Sequence, residues 1–293
     1  MFFVPMKKAY WQLHAAIFLW GFTGVLGRAI TLAESWLVWW RLCITVVSLW
    51  ILFAWWKKIT ILPRKYMLQV AGIGCILALH WLCFYGSIKY ANVSIALTCL
   101  ATSGLFSSIL EPLYFNTKIK LKEVLFGLMA LAGIAIIYFD NLHVSTGVYI
   151  GLAASLLTVT VSILNKGLVG KVAPEGMTLY QLTGGFVGLS LLMPLYEYLF
   201  PAKQHWPTHA DWLWLFILSW VCTIVTYLLY VKALQKVSAF TINLSLTLEP
   251  IYGIALAFAW YQENEQLGSY FGWGFLLILA AVVLHVITTA KQK

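Results

Sequence analysis

Four stretches of this 293-residue chain, 67–88, 176–196, 212–231 and 266–290, contain no Asp, Glu, Lys or Arg. As helices rising 1.5 Å per residue, each is long enough to cross a hydrocarbon layer of about 30 Å. Lipid offers no partner for backbone N–H and C=O groups, so segments of this kind must satisfy their own backbone as α-helices. The remaining composition agrees: only 10% of residues are charged, against roughly 25% in a soluble domain. An ordinary soluble enzyme is thereby excluded.

Lys/Arg pairs, prolines and polar clusters divide the chain into ten expected helices near 11–30, 35–56, 67–88, 92–115, 122–139, 147–168, 176–199, 211–233, 238–261 and 267–290. The fold class expected is an all-α integral membrane protein. Its connections are short, so the function must reside within the membrane. The apolar run 9–27 follows Lys7 and Lys8 as a signal peptide would, but no A-x-A-like site closes it and Arg28 ends it. It reads as an uncleaved first helix. A net charge of +9 does not point to nucleic acid, because the basic residues fall in gaps between apolar segments rather than on one solvated face. Cys43, Cys75, Cys83, Cys99 and Cys222 all lie inside apolar segments without metal-ligand spacing, and read as small buried hydrophobes.

Alternate connections differ sharply in charge. Lys7, Lys8, Lys57, Lys58, Arg64, Lys65, Lys118, Lys120, Lys122, Lys166, Lys171, Lys232, Lys236, Lys291 and Lys293 collect on one side, Arg28, Lys89 and Lys203 on the other. The positive-inside rule then predicts a cytoplasmic (inner) membrane protein with both termini cytoplasmic. Glu34, Asp140, Glu197, Asp211, Glu263 and Glu265 are expected to face outward from loops.

Weak internal similarity divides the chain at 142/143. Residues 15–28 line up with 153–166, both ending in a cation, Arg28 or Lys166; Ser87-Ile-Lys-Tyr90 aligns with Ala233-Leu-Gln-Lys236, and Ser103-Gly-Leu-Phe106 with Glu249-Pro-Ile-Tyr252. A five-helix unit inserted twice in tandem enters the membrane in opposite directions, so residues 1–142 and 143–293 are predicted to form two inverted repeats, the plan of many alternating-access carriers.

Several motifs carry a resemblance. Trp20-Gly21 lies in a small-residue first helix, and Trp40-Arg41-Leu42 stands near the start of the second. Ser87-Ile-Lys-Tyr90 leads into Asn92-Val-Ser94, Gly127 and Gly133 punctuate 121–133, and Leu248-Glu249-Pro250 occurs in the ninth helix. In their order and spacing these resemble the drug/metabolite transporter superfamily, specifically its EamA-like ten-helix carriers, over essentially the whole chain. The resemblance implies export or exchange of amino acids, related metabolites or drugs without ATP. Two departures stand out: Gly104 takes the place of the proline expected after Ser103, and Glu111-Pro112 occurs where many members are wholly apolar.

Helix geometry gives each polar group a depth. Glu249, Ser103, His80 and Trp20 each fall near the bilayer centre. A carboxylate there costs about 2.5–3.5 kcal/mol on insertion scales, so Glu249 should face a cavity or a partner, and it leads the candidate substrate-binding or coupling residues. Pro250 cannot donate a backbone bond, which predicts a helix kink exposing polar backbone beside Glu249. Arg41 has two roles open to it, snorkelling to the outer surface or gripping a substrate carboxylate. His80 either relays protons or is a satisfied structural group, the commoner outcome for a lone helix histidine. Trp20, Trp39, Trp81 and Tyr85 would line an aromatic cavity, although many Trp in such a chain belong to interfacial belts. Asn243 bonds either substrate or a neighbouring helix. Glu111 either gates the inner side or, the blander role, pairs with a loop lysine.

The function expected is therefore a secondary transporter, an exporter of amino acids or related small metabolites or drugs, working as a monomer with no cofactor, no ATP and no nucleic acid. Proton exchange at Glu249 is the coupling this arrangement predicts. The alternatives are an intramembrane enzyme acting on a lipid or isoprenoid, or a channel. Paired acids, an H-E-x-x-H pair or a nucleophile with its base would mark an enzyme, and the sequence offers none of them. Nor does it carry the Gly-rich loop followed by Lys-Ser/Thr that an ATP motor needs.

Overall fold

The computed structural model describes residues 6–140, 145–234 and 248–290. These are helical: α1 Met6–Ala29, α2 Glu34–Trp55, α3 Arg64–Tyr90, α4 Val93–Leu100, α5 Ser103–Phe115, α6 Leu121–Asp140, α7 Ser145–Leu168, α8 Pro174–Leu199, α9 His209–Phe216, α10 Thr226–Leu234, α11 Leu248–Tyr261 and α12 Phe271–Ala290. A π-helical segment, Ile217–Val225, joins α9 to α10. Among the described residues six spans are long and apolar enough to cross a membrane: Glu34–Trp55, Arg64–Tyr90, Val93–Phe115, Thr146–Leu168, Pro174–Leu199 and His209–Tyr230; Phe271–Leu284 is a shorter apolar segment.

Two of the expected helices are not continuous. The fourth breaks between α4 and α5, where Thr102 has φ −75° and ψ −3° and its hydroxyl donates to the Cys99 carbonyl at 2.6 Å. A hydroxyl that bonds its own preceding turn competes with the α-helical ladder. The eighth changes winding at Ile217–Val225. There the Thr223 hydroxyl donates to the carbonyl of Leu218, five residues back, at 2.8 Å, and Thr226 bonds Cys222 and Thr223 at 2.9 Å each. Insertion of hydroxyls into a ladder is a recognised cause of local π geometry and bending.

The helices pack through small residues, the usual solution where lipid gives no hydrophobic drive for association. α3 lies along both α7 and α8, and at Gly74 the backbones come so close that a Cβ would sit 1.8 Å from the Gln181 carbonyl oxygen. α1 crosses α11 at Gly21 and Gly253, where a Cβ on Gly21 would lie 3.1 Å from the Gly253 nitrogen. α6 and α12 cross at Gly133 and Gly274, around a satellite core containing Ile134, Ile137, Ile278 and Ala281.

The bundle has two unlike ends. At one, Arg28 (α1), Glu34 (α2), Lys89 (α3), Glu197 (α8), Asp211 (α9) and Glu263 (after α11) meet; it is called the carboxylate end below. At the other lie Lys58, Arg64, Lys120 and Lys166, the lysine end.

Candidate functional site

Arg41 stands two turns into α2, and its side chain turns into the bundle, only 3% exposed. It therefore does not snorkel. Its Nη1 donates to the Tyr85 hydroxyl at 2.8 Å, and Nε and Nη2 donate to Thr223 Oγ1 at 3.2 and 3.0 Å. The guanidinium plane lies 3.9 Å from the centroid of the Trp81 ring, a cation–π contact that partly replaces hydration. These contacts leave guanidinium N–H groups over, since Arg carries five. Ser219 on the π-helical segment donates to the Arg41 carbonyl at 3.2 Å, so that segment holds both the backbone and the head of this residue.

Glu249 lies in the first described turn of α11, a helix held against α1 at Gly21 and Gly253. The ion pairs among the described residues include neither Arg41 nor Glu249, and the Glu249 backbone lies against α1 at Gly21, next to Trp20. Trp20 packs with its ring 5.2 Å from Tyr230 and 6.3 Å from Tyr227.

A cavity of about 230 Å³ leads from the lysine end towards this cluster. Thr178 of α8, Leu49 of α2, and Thr223 and Tyr227 of the eighth span form its walls, and Lys58 and Glu175 stand among its lining groups. Thr223 is therefore both a wall of the cavity and a ligand of Arg41. A second, shallower groove near the carboxylate end is lined by Trp36, Trp39, Ser190, Met193, Pro194 and Glu197 and shares no residue with the Arg41 cluster.

Of the residues singled out from sequence, Arg41, Trp81, Tyr85, Trp20 and Glu249 are brought together. His80 is adjacent but structurally engaged: its Nδ1 donates to the Ala154 carbonyl at 2.8 Å and its ring stacks on Phe84 at 6.2 Å. Trp39 belongs elsewhere, donating to Ser190 at 3.0 Å. Ser103 opens α5 beyond the break, half-buried, with no hydrogen bond to the cluster among the described residues. Asn243 lies outside the described residues, as does the segment preceding Leu248 against which a kink at Pro250 would be measured. Glu111 takes the bland role: it pairs with Lys166, a residue in the last turn of α7 rather than in a loop.

Three of the acidic residues that the sequence places in loops are buried at the carboxylate end. Asp211 and Glu263 are fully buried and Glu34 is 8% exposed. Asp211 accepts from the Thr31 N–H and hydroxyl at 2.7 Å each and completes a capping box with Thr208. Glu34 accepts from the Tyr196 hydroxyl at 2.7 Å, and Glu197 from the Trp36 indole at 2.8 Å. Glu263 pairs with Arg28 and accepts from the N–H groups of Val93 and Ser94 at 3.1 and 2.8 Å and from the Ser94 hydroxyl at 2.6 Å. Sequence reasoning missed Glu263, Thr223 and Tyr227. Thr223 had a signal: Ser219, Thr223 and Thr226 form a hydroxyl stripe at helical spacing in a charge-free span.

The fold is a multi-pass helical bundle with a buried arginine cluster and a cavity that reaches it from one end. The EamA-like transporter family model matches residues 7–139 and again 145–287, so the chain belongs to that family and is a membrane transporter of the drug/metabolite type. Eighteen chains among solved structures match. One of them, a crystal structure 16% identical to this chain, covers 98% of it and 99% of its own length with a TM-score of 0.66, a likeness of fold. No curated protein matches.

Proposed function

We propose that the protein is a secondary carrier that exports amino acids or related small metabolites across the cytoplasmic membrane by alternating access. Its ten spans form two inverted five-helix repeats, 1–142 and 143–293, with both termini cytoplasmic, and a single chain supplies both halves of the transport unit. The solute occupies the region between Arg41 and Glu249, with Trp20, Trp81 and Tyr85 around it. No ATP is used. The observation that carries this reading is the Arg41 guanidinium, buried with donors left over and bonded to Thr223, a wall of the cavity; Glu249 of the second half, in no ion pair among the described residues, is the opposite charge this reading assigns to the solute. A solute with a carboxylate and an ammonium group satisfies both, and guanidinium geometry suits a carboxylate in particular.

The cavity volume of about 230 Å³ falls below the roughly 300–1,000 Å³ of drug-sized sites, which favours metabolites over larger drugs. The cavity approaches from the lysine end, so under the positive-inside rule the arrangement is an inward-facing one. Counterflow in proteoliposomes tests the reading. Vesicles loaded with unlabelled amino acids and metabolites should transiently accumulate one labelled class against its gradient. Absence of counterflow for every solute, with folded protein, overturns the carrier, and product formation from a lipid or isoprenoid substrate would install the enzyme in its place. Proton exchange at Glu249 is the coupling step; identical responses of wild type and Glu249→Gln to an imposed pH gradient would remove it.

A further inference from the structure

α11 has a carboxylate at each end. Glu249 faces the Arg41 cluster in its first described turn, and Glu263 follows its last turn, roughly 20 Å away along the axis. Glu263 is fully buried and holds three things from the first repeat at once: the Arg28 guanidinium, the N-terminal N–H groups of α4, and the Ser94 hydroxyl. The same junction is fastened beside it, since the Tyr261 hydroxyl donates to the Val25 carbonyl at 3.0 Å and Arg28 lies 4.4 Å over the Tyr261 ring. The other carboxylates at this end bond hydroxyl, indole, imidazole or amide groups; among the described residues Glu263 alone pairs there with an arginine or lysine.

We propose that Glu263 is a positioning residue of the transport cycle: its contact with Arg28 latches the carboxylate end shut, and α11 links release of that latch to occupancy at Glu249. This rests on the carrier reading above. The physical case is that a buried ion pair returns roughly what its desolvation costs, so a closed, dry pair and an open, hydrated pair differ little in free energy. That near-balance is what a reversible gate requires. Removing one partner upsets it in a known direction, because the remaining charge is left desolvated only in the closed state. Removing both restores the balance.

The test reads accessibility at two places in the detergent-solubilised full chain. Val25→Cys reports the carboxylate end, since Val25 is 1% exposed, and Thr178→Cys reports the cavity from the lysine end. Modification by a water-soluble maleimide is followed at each position by peptide mass spectrometry. Glu263→Gln and Arg28→Gln should each raise the rate at Val25→Cys by about tenfold and lower the rate at Thr178→Cys. The double variant should return both towards wild type, and Glu265→Gln, exposed two residues away, should change neither. An unchanged rate at Val25→Cys in the single variants overturns the latch, as does a rise at both positions together, the mark of general loosening. Should Glu263→Gln fail to fold, Arg28→Gln decides alone, because Arg28 is 30% exposed in its side chain and more tolerant of replacement. Wild-type counterflow measured alongside separates the two readings: counterflow with no response to the latch variants removes the latch only, whereas no counterflow removes the carrier whatever the labelling shows.

Discussion

Two arginines of the first repeat face two glutamates that bracket α11, and the two pairings are built differently. Arg28 and Glu263 are in contact, and the carboxylate's remaining lone pairs are taken by the start of α4. Arg41 and Glu249 are not in contact, and Arg41 is steadied instead by neutral groups, Tyr85, Thr223 and the face of Trp81. A carboxylate whose acceptors are filled by its own chain ties parts of that chain together. A guanidinium held in position with donors left over is prepared for something from outside. The same helix thus carries two glutamates in unlike settings, Glu263 fully buried with its acceptors filled and Glu249 only partly buried and in no ion pair among the described residues.

Exchanging the readouts is the strongest way to break that comparison. Glu263→Ala leaves Arg28 and the first turn of α4 without their acceptor, and losing one member of a buried pair costs about 3–5 kcal/mol; thermal unfolding in detergent, followed by tryptophan fluorescence, should show a large fall in Tm. Glu249→Gln should leave Tm close to wild type while counterflow drops by about a hundredfold, the order expected when a buried charge loses its counterpart on the solute. Arg41→Gln should lose counterflow to a similar degree. A Glu249→Gln protein that transports normally but unfolds early would reverse the assignment of the two glutamates.

Next in size is Gly74→Ala. A methyl group there meets the Gln181 carbonyl at 1.8 Å and must push α3 from α8, at about 1–3 kcal/mol for overpacking. Because α8 also supplies Thr178 and Leu182 to the cavity wall, both Tm and counterflow should fall. A loss of transport with Tm unchanged would show that α3 and α8 position the Arg41 site without holding the fold, and so blur the line between the two kinds of residue.

How much of this was legible in the sequence follows the same division. Spans such as Arg64–Tyr90 and Pro174–Leu199 were readable from charge-free length, because lipid makes span length nearly a one-dimensional quantity. Family membership was readable from Trp20-Gly21, Trp40-Arg41-Leu42 and Leu248-Glu249-Pro250. Burial of Glu263 was not, because its partners Arg28 and Ser94 lie 235 and 169 residues away and nothing local distinguishes it from exposed Glu265. Thr208-x-x-Asp211 did carry a local signature, a capping box, yet a charge tally treats it as a loop acid. The break at Thr102, just before Ser103, was not readable either, because a hydroxyl that bonds its own preceding turn leaves no charge or proline to announce it.

Thr223→Val sharpens the functional side of the comparison. Valine keeps the shape but removes the oxygen that accepts from Nε and Nη2 of Arg41 and the π-type bond to Leu218. Hydrogen bonds to a charged group are worth about 1.5–3 kcal/mol, but a water entering from the cavity that Thr223 lines recovers part of this. Half-saturation for counterflow should therefore rise by about tenfold with a smaller change in Tm. If Tm falls and half-saturation stays put, Thr223 holds helices together and does not position Arg41 for the solute.

The smallest effect is expected at the lysine end. Glu111 and Lys166 also join the two halves, but their side chains are 36% and 57% exposed, so water and salt screen the pair and its worth is about 0–1 kcal/mol. Glu111→Gln should move Tm in dilute buffer by a degree or two at most, and the difference should vanish in 0.5 M salt, on the order of the concentration where the Debye length falls to a few ångströms. Glu263→Ala, measured the same way, should keep its deficit in salt, because ions do not reach a carboxylate that is closed off from water. Equal salt sensitivity of the two variants would mean that the Arg28–Glu263 junction is wet, and the contrast between the closed carboxylate end and the open lysine end would then have to be abandoned.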